Sequence, residues 1–276
     1  MKEIKKEDIK EIEKNILDYI VNVCEKNDIS YFLCGGTLLG AVRHQGFIPW
    51  DDDVDIMLPR PDYERLLNVF PENTNYKLSN RYTERYWPYA YSKVRDCRTL
   101  KVEDKLRKPY SLYQSVDVDV FPIDGLPSSE IETALFYKKI ALQQNLVECL
   151  TKVYGKAPGF VATIKKNFGI LVFRILEALR LIELDKLIER YENLSKHYLY
   201  EEHEFVGITS ISHYGIKEKN FKDSYSSICK VKFEGKMYNA PKGYNTYLSQ
   251  LYGKKYMEMP PISKQKTHHT NNCFWI

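Results

Sequence analysis

Two stretches of this chain alternate acid and hydrocarbon residue by residue: Asp53-Val54-Asp55-Ile56 and Val116-Asp117-Val118-Asp119-Val120. A period of two belongs to the β-strand, whose successive side chains point to opposite faces. Each stretch therefore reads as a strand with Val and Ile in a core and paired carboxylates on the other face. Asp53 and Asp55 point together, and two carboxylates a few ångströms apart are costly unless a cation neutralises them. Oxygen-only ligands suit Mg²⁺ or Mn²⁺, which keep several waters and accept phosphate oxygens.

What precedes the first run fits that chemistry. Tyr31–Leu33 is short, aromatic and apolar, and reads as a strand. Gly35 and Gly36 permit a tight turn or close approach of a ligand to the backbone. Thr37 is expected to cap a short helix whose Leu38, Leu39 and Val42 bury one side. Such a turn aims free N–H groups outward, which suits a phosphate. Gly-Gly alone is usually only a turn, and an acid run alone usually a solvated loop. An EF-hand is excluded, because its Gly at position 6 and Glu at position 12 are missing. Together, turn and acid strand point to metal-assisted transfer of a phosphoryl-type group.

The segment GGTLLGAVRHQGFIPWDDDVDIMLPRPDYERL closely resembles the signature of the LicD family, which includes bacterial phosphocholine transferases and fukutin-related proteins. The resemblance continues in VDVDVFPIDGLP and in APKGYNTYLSQLYGKKYMEMPP, and is weak between 128 and 225. It implies an α+β fold, a nucleotidyltransferase-like mixed sheet flanked by helices with an inserted helical region. It places Asp119 as a third acid beside Asp53 and Asp55, all three as metal ligands and catalytic residues. Family members usually carry an aromatic or apolar residue where Asp117 stands, which leaves Asp117 either in the site or facing solvent. The family's Lys-Val-Arg-Asp corresponds to Lys93–Asp96, so Lys93 or Arg95 meets the nucleotide phosphates unless that strand face is simply solvated. His269 becomes a base or phosphate contact if the polar tail folds back.

The expected organisation is a metal-bearing core over 1–127, a helical region over 128–200, and strands and a helix over 201–276 that pack back on the core. Ile9, Ile12, Ile16, Ile20 and Val23 recur at helical spacing, giving a helix from about Lys6 to Lys26 that covers the sheet. Asp62 is expected to cap a helix through Phe70. Strands are expected at Tyr76–Leu78, Tyr89–Val94, Arg98–Val102, Phe205–Ile211 and Ile228–Phe233, and a final helix from Ala240. Asp124, before Gly125, reads as a turn residue. Leu171, Ile175, Leu179 and Ile182 lie on one helix side, expected to pack on the protein's own core; the alternative is a face resting on a membrane.

With 43% apolar and 28% charged residues the chain is an ordinary globular protein, and a net charge of +4 argues for no nucleic-acid partner. Six scattered cysteines without C-x-x-C spacing exclude structural zinc and read as reduced thiols. With no apolar leader and no run long enough to span a bilayer, the expected location is cytoplasmic, at most in peripheral contact with the membrane's inner face.

The resulting expectation is transfer of a phospho-alcohol from a CDP-alcohol donor, with CDP-choline implied by the resemblance, to a sugar hydroxyl of a glycan or its lipid-linked precursor. Gly35, Gly36 and Thr37 would hold the donor phosphates, with Arg43 and His44 facing them. Asp119 would complete the Mg²⁺ site or accept the acceptor's proton. A cytidylyltransferase using CTP, and a non-catalytic nucleotide- or glycan-binding module, are the alternatives.

Overall fold

A computed structural model describes residues 1–71, 75–102, 106–112, 114–156, 159–265 and 272–276. The chain opens with β1 (Lys2–Glu3) and α1 (Lys6–Lys26), whose Ile12, Ile16, Ile20 and Val23 turn into the core at the expected spacing. Then come β2 (Phe32–Leu33), α2 (Gly35–His44), β3 (Asp55–Pro59) and α3 (Arg60–Val69). Next are β4 (Tyr76–Ser79), β5 (Ser92–Asp96), β6 (Thr99–Val102) and β7 (Asp117–Leu126). The helical region holds α4 (Glu130–Thr151), α5 (Phe160–Ala178) and α6 (Leu184–Ser195). The chain finishes with β8 (Phe205–Ile208), β9 (Asn220–Phe221), β10 (Ile228–Phe233), β11 (Lys236–Pro241), α7 (Tyr244–Tyr252) and β12 (Asn272–Trp275).

The central sheet runs β2-β3-β7-β5-β4 and is mixed: β3 and β7 are parallel, and the other pairs on this path are antiparallel. The long β7 also pairs through its C-terminal half with β8, which carries β9. β12 returns the chain end to lie between β1 and β6, and β10–β11 form a hairpin. Glu234 and Gly235 both adopt positive φ in its two-residue turn, the geometry that matches strand twist. One apolar cluster lies between α1, the sheet, α2, the hairpin and α7; a second joins α4, α6 and the end of β7.

Several local expectations are corrected. Thr37 does not cap α2. The helix starts at Gly35 with Cys34 at its N-cap position, and the Thr37 hydroxyl accepts from the Asp55 N–H at 2.8 Å, tying α2 to β3. α3 starts at Arg60 rather than at an Asp62 cap, because Pro61 suits a first turn. Asp62 instead accepts from the Ser30 N–H. The strand expected from Tyr89 begins at Ser92, since the Trp87 indole N–H bonds the Tyr91 carbonyl and holds a loop. Pro241 ends β11, and α7 begins only at Tyr244.

Asp124 is no turn residue. It sits inside β7, 1% exposed, accepts two 2.7 Å bonds from Arg60 and a third from the Thr209 hydroxyl. The side of α5 formed by Leu171, Ile175 and Leu179 is exposed, not packed on the core. His269 lies outside the described residues.

Glu218 is 2% exposed and its Oε2 has no hydrogen-bond partner, so burial pushes its carboxyl up to about 8. The folded state keeps this proton while the unfolded chain, with an ordinary carboxyl, has lost it. Stability contributed below the ordinary carboxylate range is therefore withdrawn as pH climbs towards 8. Urea unfolding at pH 8–9 is expected to show Glu218→Gln more stable than the parent by roughly 2–4 kcal/mol, with the difference vanishing near pH 4.

Candidate active site

Strand register assembles the acids. Across β5, β7 and β3, Lys93 pairs with Asp119 and Asp119 with Asp55, so the three stand in one row on strands ~4.8 Å apart. The predicted alternation holds in burial, with Val54, Ile56, Val118 and Val120 beneath, but β3 begins only at Asp55, so Asp53 and Val54 lie just before the strand. Asp117, two residues before Asp119, belongs to the same face and accepts from Lys93 Nζ at 3.1 Å. It lines the same cavity as Asp119 and Lys93.

The row faces the N-terminus of α2. A Cβ added at Gly35 would lie 3.4 Å from Asp55 Oδ2, and one at Gly36 only 2.5 Å from Asp51 Oδ2. Gly35 also adopts φ +52°, so this corner needs glycine for conformation as well as for space. No side chain caps α2, and its Gly35 N–H donates to the Tyr247 hydroxyl at 3.3 Å. The positive end of the helix is thus aimed where the carboxylates gather.

The charges are unbalanced. Lys93 Nζ lies 2.6 Å from Asp119 Oδ1, off the line of a hydrogen bond, and above the Tyr89 ring at 5.0 Å. Against the burial that would lower it, Asp117 and Asp119 hold this ammonium protonated beyond its ordinary range. Burial, then Asp53 and Asp119, push the Asp55 carboxyl well up. Burial and Asp53 push Asp51 up to about 7. Burial raises Asp119 despite the pull of Lys93. With Lys93 beside Asp119 and Lys10 acting on Asp51, the Asp51, Asp55 and Asp119 carboxyls still stand raised, and the donors of this set are all oxygen, the kind a hard divalent cation such as Mg²⁺ takes. Among the described residues no three His, Cys, Asp or Glu side chains already converge on one point. Mg²⁺ does not require that, because it takes one or two carboxylates and completes its coordination with water and phosphate.

Two cavities flank the acid run. One, of about 190 Å³, is lined by Asp53, Asp117, Asp119 and Lys93 together with Trp87, Tyr89, Tyr91 and Tyr110. The other, of about 300 Å³, lies under α1 and is lined by Lys6, Lys10, Glu13, Trp50, Asp51, Asp52 and Cys273. Lys101 lines both. Asp51–Asp53 therefore forms a wall between two spaces, each large enough to receive part of a substrate.

The LicD/FKTN/FKRP nucleotidyltransferase domain matches residues 28–150, which span α2, β3, β5 and β7. The lipopolysaccharide cholinephosphotransferase LicD of Haemophilus influenzae is 30% identical over 266 residues, 94% of each chain. The ribitol 5-phosphate transferases FKRP of Homo sapiens and Mus musculus are 55% identical over 38 residues, 14% of this chain and 8% of theirs.

The chain belongs to the LicD family. It is a phosphotransferase of that family.

Not every predicted residue of this LicD chain joins the row. Arg43 donates to the Tyr256 and Glu258 carbonyls and to His44, holding down the turn after α7. His44 meets the edge of Trp50 at 6.4 Å between ring centres. Arg95 reaches Glu84 and the Ser79 hydroxyl on the β4 side, a structural pairing. Asp51 lies over Gly36. The aromatic lining and Tyr252, which bonds the Tyr214 hydroxyl at 2.9 Å beside Gly35, were missed. With 22 tyrosines in the chain, no local pattern distinguishes these.

Proposed function

We propose that this chain transfers a phospho-alcohol group from a CDP-linked donor to a sugar hydroxyl of a cell-surface glycan or its lipid-linked precursor, releasing CMP. The observation that carries the reading is the Lys93–Asp119–Asp55 row facing the uncapped, glycine-built start of α2. The LicD relative is a cholinephosphotransferase and FKRP a ribitol 5-phosphate transferase, which supports the reaction class. The aromatic walls and carboxylates of the smaller cavity suit a quaternary ammonium, which favours CDP-choline as donor.

Gly35 and Gly36 let the Asp55 and Asp51 carboxylates close on the start of α2, and the donor diphosphate would meet that positive end beside them. Thr37 acts through its bond to β3, which locks that end against the acid strand. Asp53, Asp55 and Asp119 would share one or two Mg²⁺, and the metal when bound would neutralise the diphosphate and the leaving oxygen. Lys93 adds a fixed positive charge beside Asp119. The acceptor oxygen attacks the phosphorus carrying the alcohol, the bond from that phosphorus to the bridging oxygen breaks, and CMP leaves. The hydroxyl proton would pass to a carboxylate, which is Asp119 where that residue does not complete the metal site. Two cavities on either side of Asp51–Asp53 give donor and acceptor separate approaches.

Mass spectrometry of reactions with CDP-choline, CDP-ribitol, CDP-glycerol and CDP-ethanolamine tests this. CMP should appear with CDP-choline and a glycan acceptor, and EDTA should suppress it by roughly a hundredfold or more. Pyrophosphate release from CTP would instead identify a cytidylyltransferase. Nucleotide binding indifferent to Mg²⁺, with no product, would identify a binding module.

A further inference from the structure

Helix α5 carries a row of large apolar side chains on its outside. Phe160, Ile164, Phe168, Leu171, Ile175 and Leu179 follow one another at steps of three or four residues and are 46–81% exposed. At 100° per residue they form a single stripe along the whole helix. The opposite side is properly packed: Ile170 is buried, Phe173 joins the cluster under α4, and Gly169 allows close approach to Cys149. The stripe is therefore a second face in its own right.

The charges beside it indicate what covers it. Lys165 stands exposed along one edge of the stripe, Arg180 is exposed just past the helix's C-terminal end, and Lys138 and Lys139 are exposed on α4, against which α5 packs. The one acid within α5, Glu177, points the other way and accepts from Arg107 and Tyr110. The exposed acids of α4, Glu130 and Glu132, are confined to its first turn. A second copy seated face to face would bring these cations against their own kind. A bilayer with anionic head groups takes the same arrangement favourably. The apolar side chains enter the acyl boundary while the lysines extend to the phosphates. No helix among the described residues is long and apolar enough to cross a membrane, so α5 would lie in the interface plane.

We propose that α5 is an interfacial helix that seats this protein on an anionic phospholipid membrane. Through Glu177 the seated helix is tied to Tyr110, which lines the cavity holding Asp117 and Asp119. The seat and the site thus share one connection.

The test is co-sedimentation of the full chain with phosphatidylcholine vesicles, with and without about 30 mol % phosphatidylglycerol, an anionic fraction large enough to attract a basic surface. The chain is expected to bind the anionic vesicles and to release in high salt. Phe168→Asp with Ile175→Asp should cut the partition coefficient at least roughly tenfold with unchanged far-UV circular dichroism. Lys165→Gln with Arg180→Gln should weaken binding to anionic vesicles about tenfold and leave neutral vesicles unaffected. Binding to neither vesicle type overturns the proposal, as does undiminished binding by the Phe168/Ile175 double variant. So does a concentration-dependent dimer in sedimentation velocity that this double variant abolishes, which would assign the face to a second copy. Because the readout is binding and not turnover, it stands apart from the reaction proposed above.

Discussion

Asp55→Asn is expected to lower phospho-alcohol transfer by roughly a thousandfold or more, the scale of losing a preorganised electrostatic partner at developing charge. The same change should leave the fold intact or firmer. Asp55 stands half-buried beside Asp53 and Asp119, and loss of solvent together with these neighbours pushes its carboxyl well above the ordinary range. A raised carboxyl means that at neutral pH the ionised form weighs against the folded state, and the isosteric amide removes that charge. Asp53→Asn acts in the same direction by relieving repulsion on Asp51 and Asp55. The measurement is kcat from CMP release beside a thermal melt of the same sample. Near-normal turnover with either variant would end the metal role assigned to this row. Loss of turnover with a collapsed melt would show that these carboxylates serve the fold.

Arg60→Ala should be the most destabilising single change outside the site, at about 3–5 kcal/mol. Arg60 starts α3 and Asp124 sits inside β7, and the two carboxylate oxygens each accept a 2.7 Å bond from the guanidinium. Asp124 is 1% exposed, so truncating the arginine leaves a charge buried with only the Thr209 hydroxyl for company. The cost is that of the unpaired charge rather than the worth of the pair. Replacing both, Arg60→Met with Asp124→Leu, should recover most of the loss in urea unfolding. If Arg60→Ala unfolds at the parental midpoint, the pair is not holding α3 to the sheet.

Much of this could be read locally. The alternation at Asp53–Ile56 and Val116–Val120 made both acid strands and their inward faces legible, because side-chain parity is a property of the strand alone. The helical spacing of Ile12, Ile16, Ile20 and Val23 placed α1 to the residue. Gly35 and Gly36 were marked as a corner needing close approach, and the carboxylates of Asp55 and Asp51 are what approach. Errors arose where a residue has a good local role and a better distant one. Thr37 and Asp62 are typical helix caps, yet one bonds β3 and the other Ser30. Asp-Gly usually marks a turn, yet Asp124 is claimed by Arg60, 64 residues away in sequence.

By itself the sequence determined the strand and helix periods, the glycine corner, the acid pair and the family, since each is written in residues close together in the chain. Only the tertiary structure decided partners. It set Lys93 in one row with Asp119 and Asp55 through strand register, brought Asp117 to the same face, and bonded Arg43 to the Tyr256 and Glu258 carbonyls and Arg95 to Glu84 and Ser79. It also left the apolar side of α5 uncovered. Burial, charge pairing and the limited space between packed elements are properties of the whole fold, and no short stretch of chain carries them.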